Sequence, residues 1–102
     1  NSTVSNNFAN AAVSEGGGIY NRTGAVLNIT NSTISGNSAG GGTNASGGGI
    51  SNTGTGILTI INGTVSNNSV NASNLRSGGG IITSGSGTFN ARNTIIAGNS
   101  AA

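Results

Sequence analysis

Asn31-Ser32-Thr33-Ile34-Ser35-Gly36-Asn37 is the clearest copy of a seven-residue phrase that recurs throughout this chain of 102 residues. The other copies begin at Asn1, Asn62 and Asn93, so the spacings are 30, 31 and 31 residues. The first and seventh positions are always Asn, and the fourth is always Val or Ile. A fixed period of this length is typical of repeat architectures, in which each repeat packs on its neighbours.

A second phrase, Gly-Gly-Gly-Ile, recurs within each repeat and ends at Ile19, Ile50 and Ile81. It is followed by segments that alternate apolar and polar residues, at positions 26–30, 57–61 and 88–92. Alternation with period two predicts a β-strand with one buried face. No window shows helical spacing over more than a turn, and Gly and Asn are poor helix formers.

Each repeat therefore contains three strand candidates separated by turns rich in Gly, Asn and Ser. We predict an all-β fold, a parallel β-helix (a right-handed β-solenoid) with three strands per coil, about 31 residues per coil and about 3.3 coils. The single domain spans residues 1–102, with coils at 1–30, 31–61 and 62–92 and a partial coil at 93–102. Because the last copy stops within a repeat, we expect the segment to be an excerpt of a longer array.

Stacking of the coils would align the apolar positions of each repeat in inward-facing columns. One coil buries too little apolar surface to fold alone, so the fold requires coils that cover one another. The predicted core residues are Val4, Ile34, Val65 and Ile96; Ile19, Ile50 and Ile81; Leu27, Leu58 and Phe89; and Ile29 and Ile60.

Stacking also explains why charged residues are scarce. Equivalent residues of neighbouring coils lie about 4.8 Å apart, where two like charges repel by about 3 kcal/mol at an effective dielectric constant near 20. The amide of Asn avoids this repulsion, since it can donate to and accept from an identical amide. We predict two asparagine ladders, one of Asn7, Asn37, Asn68 and Asn99 and one of Asn1, Asn31, Asn62 and Asn93.

The composition argues against catalysis and ligand chemistry. The chain has no His, Cys, Lys or Asp, and its only charged residues are Glu15, Arg22, Arg76 and Arg92. Acid–base pairs, activated nucleophiles and metal ligand sets are therefore lacking, and we expect no enzyme activity, metal or cofactor. No basic cluster indicates nucleic-acid binding, and no apolar stretch is long enough for membrane insertion.

Residues 8–15, 38–46 and 69–77 vary most between repeats and are expected to be surface loops. They are the first candidates for contact with glycans or proteins. Asn-x-Ser/Thr sequons at Asn21, Asn44 and Asn71 are candidate glycosylation sites.

A more remote alternative is ice binding. Thr3, Thr33 and Thr64 would form an outward column of hydroxyls able to order water, although the column ends at Ile95. Calcium-binding repeats would need Asp, which is absent.

The two repeated phrases resemble those of the polymorphic outer-membrane protein family. The passenger domains of that family carry a Gly-Gly-Ala-Ile type motif, matched here by the glycine phrase that ends at Ile19, Ile50 and Ile81. Its Phe-x-x-Asn motif is matched, with Val or Ile in place of Phe, by Val4-to-Asn7 and its three repeats. The chain is similar to bacterial surface and secreted proteins with right-handed parallel β-helix repeats. The resemblance implies an adhesin, an autotransporter passenger or a structural component, without catalytic residues.

These features favour a non-enzymatic scaffold at the cell surface or outside the cell. It would be a stalk or fibre whose coils stack on neighbouring repeats or on further copies of the chain. The alternative is an adhesin or autotransporter passenger that binds glycans or proteins through the variable segments. Binding surfaces are rich in aromatic and charged anchors, and here those segments offer only Phe8, Glu15 and Arg76.

Overall fold

The chain forms a parallel β-solenoid of about three turns, as a computed structural model of residues 1–102 shows. None of its elements is a helix that could span a membrane. The molecule measures 34 × 26 × 16 Å. The shortest dimension fits the height of slightly more than three coils at about 4.8 Å each.

The strands follow one another in the same order in every coil. The first coil contains β1 (Thr3–Ser5), β2 (Phe8–Asn10), β3 (Val13–Glu15), β4 (Ile19–Asn21) and β5 (Val26–Thr30). The second contains β6 (Thr33–Ser35), β7 (Ser38–Gly40), β8 (Asn44–Ser46), β9 (Ile50–Asn52) and β10 (Ile57–Ile61). The third contains β11 (Thr64–Ser66), β12 (Ser69–Asn71), β13 (Leu75–Ser77), β14 (Ile81–Thr83) and β15 (Thr88–Arg92). The partial coil adds β16 (Ile95–Ala97) and β17 (Ser100–Ala101).

Every strand pairs in parallel with its own copy in an adjacent coil, which gives five sheets. Thr3 lies opposite Thr33, an offset of 30 residues, whereas Val13 lies opposite Asn44, an offset of 31. Asn10 still pairs with Gly40, so the additional residue of the second coil lies in the turn at 41–43. Residues one sequence period apart are therefore paired in the sheets. The extra residue of the second coil is accommodated in one turn.

The three predicted strands are present in every complete coil, so the parallel β-solenoid is confirmed. The prediction that residues 8–15, 38–46 and 69–77 are loops was wrong. Each of these segments contributes two further three-residue strands, paired in register with the neighbouring coils. Their inward residues are small, for example Ala39 and Ala45, and the apolar pattern is therefore weak in the sequence.

The predicted columns form the main hydrophobic core. Six core residues are buried, four in the middle coil and one in each neighbouring coil: Ile34, Ile50, Leu58 and Ile60, with Ile29 and Val65. Residues of the outer coils pack against them and remain partly exposed: Val4, Ile19, Leu27, Ile81 and Phe89. Ile96 was predicted as core but is 47% exposed, because no coil covers it in this chain.

A second, smaller core lies inside the segments expected to be loops. It consists of Ala39, Ala45, Val70 and Ala72, which are all buried. Small side chains suffice here because the walls of the solenoid lie close together. This part of the coil is held by close approach of backbones, with little apolar volume between them.

The first Asn of each repeat forms a turn with left-handed backbone geometry. The φ angles of Asn31, Asn62 and Asn93 are 51°, 53° and 49°. Among residues with a side chain, Asn tolerates this conformation best, since its amide can bond locally. The turn therefore explains the repeated Asn at this position independently of ladder formation.

Ser51 tests what an unsatisfied buried hydroxyl costs in this interior. Its side chain is fully buried, and its Oγ has no hydrogen-bond partner. Because an unsatisfied buried hydroxyl is unfavourable, we expect Ser51→Ala to stabilise the fold by about 1 kcal/mol. Thermal unfolding should show a rise in Tm of about 4–8 °C.

The matched control is Ser14→Ala, which removes a buried hydroxyl that is fully used. Ser14 Oγ donates to the carbonyl of Gly40 at 2.9 Å and accepts from the backbone N–H of Ala11 at 3.0 Å. This substitution should destabilise the fold by about 1–2 kcal/mol. If Tm shifts equally and in the same direction in both variants, the two hydroxyls do not differ in hydrogen bonding as described.

Candidate functional site: the buried asparagine ladder

The most ordered polar feature of the molecule is the asparagine ladder formed by Asn7, Asn37, Asn68 and Asn99. In each step, the backbone N–H and the Nδ2 of one Asn both donate to the Oδ1 of the next. For the step from Asn37 to Asn68 the two distances are 2.9 and 3.0 Å. Both of these side chains are fully buried. The predicted hydrogen bonding between stacked asparagines is thus present in every step.

In Asn37, Asn68 and Asn99, the second hydrogen of Nδ2 is donated to a backbone carbonyl of the preceding coil. Asn37 Nδ2 donates to the carbonyl of Val4 at 2.9 Å, and Asn68 Nδ2 donates to that of Ile34 at 3.0 Å. The amides of Asn37 and Asn68 therefore bind groups of the coils on both sides. Only a neutral group that donates and accepts can occupy this column, since a row of buried like charges would repel.

The Gly-Gly-Gly phrase covers the ladder. At the third glycine, Gly49, a Cβ would lie 3.0 Å from the Cγ and Nδ2 of Asn68. At the second, Gly48, a Cβ would lie 2.3 Å from the carbonyl oxygens of Gly79 and Ser69. The first, Gly47, has a φ of 64°. The phrase thus provides a turn, a close contact between backbones and a flat lid over the amides.

The second predicted ladder lies on the surface and is looser. Asn62 Nδ2 donates to Asn31 Oδ1 at 3.2 Å, and Asn93 Nδ2 donates to Asn62 Oδ1 at 3.3 Å. Asn1, also predicted in this ladder, is exposed and makes no side-chain hydrogen bond to Asn31. Competition with water reduces what these exposed bonds contribute to stability.

A third asparagine pair was missed in the sequence. Asn21 Nδ2 donates to Asn52 Oδ1 at 2.8 Å, and both side chains are buried. The Nδ2 of Asn52 donates onward to the carbonyls of Gly56 and Thr88. The available signal was Asn two residues after the Gly-Gly-Gly-Ile phrase, but the third coil has Thr83 at that position.

The burial of Asn21 also corrects its prediction as a glycosylation site. Its side chain is 6% exposed, and its Nδ2 is surrounded by the acceptors of the ladder step, so a glycan cannot be attached in the folded chain. Asn44 is only partly exposed, and its Oδ1 is buried without a partner. Asn71 is exposed, and of the three it is the one that the fold leaves accessible.

Ionisable groups are scattered over the coils and form no cluster. Glu15 and Arg22 belong to the first coil and Arg76 and Arg92 to the third, whereas residues 31–61 contain no charged side chain. No group of three His, Cys, Asp or Glu residues exists that could hold a metal ion. The outward threonine column passes from Thr3 through Thr33 and Thr64 to Ile95, so the proposed water-ordering surface is interrupted.

The neutrality of the ladder leads to a pH prediction for Asn68→Asp. The protonated acid keeps one donor, whereas the carboxylate has none and would face the carbonyl of Ile34 and Oδ1 of Asn99. The two donors of Asn37 at Oδ1 favour the carboxylate, but full burial and the two acceptors that face the second oxygen outweigh them. The pKa of the introduced carboxyl is therefore raised in the folded state above its unfolded value. Between those two values the folded state holds a proton that the unfolded state has released.

The stability of Asn68→Asp should therefore be highest at low pH and fall by up to about 1.4 kcal/mol per unit as pH rises through that interval. Urea unfolding from pH 3 to pH 8 measures this dependence. The unsubstituted chain, with no Asp and one Glu, is the reference. If the free energy of unfolding of the variant changed with pH in the same way as that of the unsubstituted chain, position 68 would not be buried among acceptors.

Comparison with known proteins adds no relative to this description: no protein family, curated protein or solved structure matches the chain.

Proposed function

We propose that this chain is a non-enzymatic structural scaffold outside the cell or at its surface, a stalk or fibre built by stacking coils. The observation that carries the proposal is the in-register pairing of each coil with the next in all five sheets. Each coil has one face that fits the coil above and one that fits the coil below. Such a structure lengthens by repetition without changing its cross-section.

The distribution of charge supports the same proposal. Every column that contains a charged residue contains one only, as Glu15 pairs with Ser46 and Arg92 pairs with Ile61. Like charges are thus never stacked, and the middle coil has none. The scarcity of titratable groups that could act in pairs argues for a mechanical role over a catalytic one.

Immunogold labelling of intact source cells, with antibodies raised against residues 1–102, tests this proposal. We expect gold particles on the outer surface, along projections or fibres. Labelling that requires permeabilisation of the cells would overturn the proposal. An unrelated cytoplasmic protein, labelled in parallel, controls for damaged cells.

An adhesin is the second candidate, because the sheet of β3, β8 and β13 presents exposed apolar side chains in one column. Val13 and Leu75 are 60% and 61% exposed, and they lie on either side of Asn44. A patch of exposed aliphatic side chains suits the apolar face of a sugar ring or of a peptide.

Glycan-array and cell-binding assays with Val13→Ser/Leu75→Ser test the adhesin proposal. We expect binding by the unsubstituted chain and at least a tenfold loss in the double variant. Val26→Ser is the matched control, since Val26 is 62% exposed in a different sheet. The absence of binding by the unsubstituted chain, or equal loss in the control, would contradict this proposal.

A further inference from the structure

The sheet of β3, β8 and β13 has a depression of about 240 Å³ in its outer face. Two outward columns line it, one of Val13, Asn44 and Leu75 and one of Glu15, Ser46 and Ser77. Asn44 and Ser46 of the middle coil are partly exposed and form its floor. The more exposed side chains of Val13 and Leu75 form walls on the two neighbouring coils. The depression opens to the side of the solenoid, so stacking of coils leaves it accessible.

The polar side chains in this depression are not used by the fold. Ser14, the inward neighbour of Glu15, has its Oγ bonded to two backbone groups. The carboxylate of Glu15 and the hydroxyls of Ser46 and Ser77 have no such partner and face solvent. Asn44 buries its Oδ1, so the accessible part of its amide is the donor Nδ2. The depression therefore offers a donor, an anionic acceptor and two hydroxyls that can donate or accept.

We propose that this depression binds one ring of a neutral sugar within a glycan. The inference rests on the adhesin version of the proposed function. A sugar ring presents C–H groups, which suit the aliphatic walls, and hydroxyls, which can both donate and accept. These hydroxyls match the donor of Asn44 and the acceptor of Glu15, whose two oxygens can accept from two neighbouring hydroxyls.

Glu15 makes the depression selective against acidic sugars. It is the only acidic residue of the chain, and none of the three arginines lines the depression. A uronic acid bound here would bring a second carboxylate close to that of Glu15, and like charges repel. No cation of the depression would compensate for this repulsion. The site chemistry therefore favours sugars without charge.

A folded protein partner suits the depression less well than a sugar. Protein interfaces depend on a few large anchors, mostly Trp, Tyr and Arg, and the depression contains none of these. A single ring with a few hydrogen bonds is a weak ligand, so we expect a dissociation constant of about 1–10 mM for a monosaccharide. Many copies of the chain on one surface would raise the avidity for a glycan.

Nuclear magnetic resonance titration of the ¹⁵N-labelled full chain tests the inference. The probes are the methyl glycosides of glucose, galactose and mannose, each paired with the methyl glycoside of the corresponding uronic acid. We expect at least one neutral probe to shift the backbone N–H signals of Asn44 and Ser46 and the Nδ2 signals of Asn44. Its uronic acid counterpart should bind about tenfold more weakly.

Two substitutions identify the contacts, and circular dichroism checks that each variant folds. Ser46→Ala should weaken binding of the neutral probe about fivefold, since one hydrogen bond is lost. Ser35→Ala is the matched control, because Ser35 is also the partly exposed third residue of a middle-coil strand, but in another sheet. Glu15→Gln keeps the shape of the side chain and removes its charge. In this variant the neutral probe and its uronic acid should bind almost equally.

Shifts confined to other sheets, equal losses in Ser46→Ala and Ser35→Ala, or uronic acids that bind the unsubstituted chain as tightly as neutral probes would overturn the inference. If no sugar binds, but cells are bound and Val13→Ser/Leu75→Ser abolishes that binding, the inference fails and the adhesin proposal stands with a protein partner. If neither sugars nor cells are bound, both fail.

Discussion

Replacing Asn68 by Ala is expected to destabilise the solenoid by about 4 kcal/mol, because it breaks the ladder at its most buried step. The substitution leaves the backbone N–H and Nδ2 of Asn37 without their acceptor, and the carbonyl of Ile34 without its donor. Each unsatisfied buried group costs about 1–3 kcal/mol. Domains of this size are typically stable by about 5–15 kcal/mol, so a large part of the stability would be lost. Urea unfolding at neutral pH measures the change.

The control for Asn68→Ala is Asn62→Gly, which removes one amide of the exposed ladder. Glycine keeps the left-handed backbone of position 62, where φ is 53°. We expect a loss of less than about 1 kcal/mol, since water replaces the exposed hydrogen bonds. If the two variants lose equal stability, burial of the ladder does not determine its contribution.

A double-mutant cycle with Asn37→Ala separates the ladder step from its surroundings. Asn68→Ala removes both bonds between positions 37 and 68, and Asn37→Ala removes the bond from Nδ2, so the double variant should lose less stability than the sum of both. A coupling of about 1–3 kcal/mol is expected. Strict additivity would mean that the two amides do not interact.

The largest effect is expected for Gly48→Ala, in the lid over the ladder. A Cβ at this position would lie 2.3 Å from the carbonyl oxygens of Gly79 and Ser69 and 2.6 Å from the carbonyl carbon of Ser69. These are backbone atoms on two sides, and neither can turn aside as a flexible side chain would. We expect failure to fold, or a destabilisation of more than about 4 kcal/mol. Soluble yield and thermal unfolding are the measurements.

Alanine substitutions at two other glycines serve as controls for Gly48→Ala. Gly79→Ala meets the backbone of Ser100, which belongs to the exposed partial coil and can move away, so the loss should be smaller. At Gly24 a methyl group would have no atom within 4 Å, and only the φ of 78° opposes Ala, at about 1–2 kcal/mol. The expected order of destabilisation is Gly48, Gly79, Gly24. A Gly48 variant as stable as the Gly24 variant would contradict the close packing of the backbones.

Much of the architecture could be predicted because a solenoid repeats its contacts at the period of its sequence. The phrase that begins at Asn31 identified the stacked strand, the buried Ile34 and the ladder position Asn37. The two strands around Ala39 and Ala45 escaped prediction, since small residues leave little apolar alternation. Ile96 obeys the pattern but lacks a covering coil, and burial depends on the neighbour as well as on the residue.

The candidate site was predicted in part. The ladder through Asn37 and Asn68 followed from the invariant seventh position, but the role of the glycines as its lid did not. A Gly-Gly-Gly sequence is compatible with many backbone conformations. In addition, Gly49 and Asn68 occupy different positions of the repeat, so the period of the sequence does not show that they are in contact. The Asn21–Asn52 pair was overlooked because Thr83 interrupts its column, and two equivalent residues are too few to show as a period.

The most direct test is nuclear magnetic resonance detection of scalar coupling across the hydrogen bonds of the ladder. With ¹⁵N- and ¹³C-labelled protein, the Nδ2–H of Asn37 and its backbone N–H should both correlate with Cγ of Asn68, since both donate to its Oδ1. The backbone pairs of the parallel sheets provide an internal standard for sensitivity. Both correlations are expected. Backbone correlations across the sheets, with none between Asn37 and Asn68, would contradict the claim that stacked neutral amides hold the coils together.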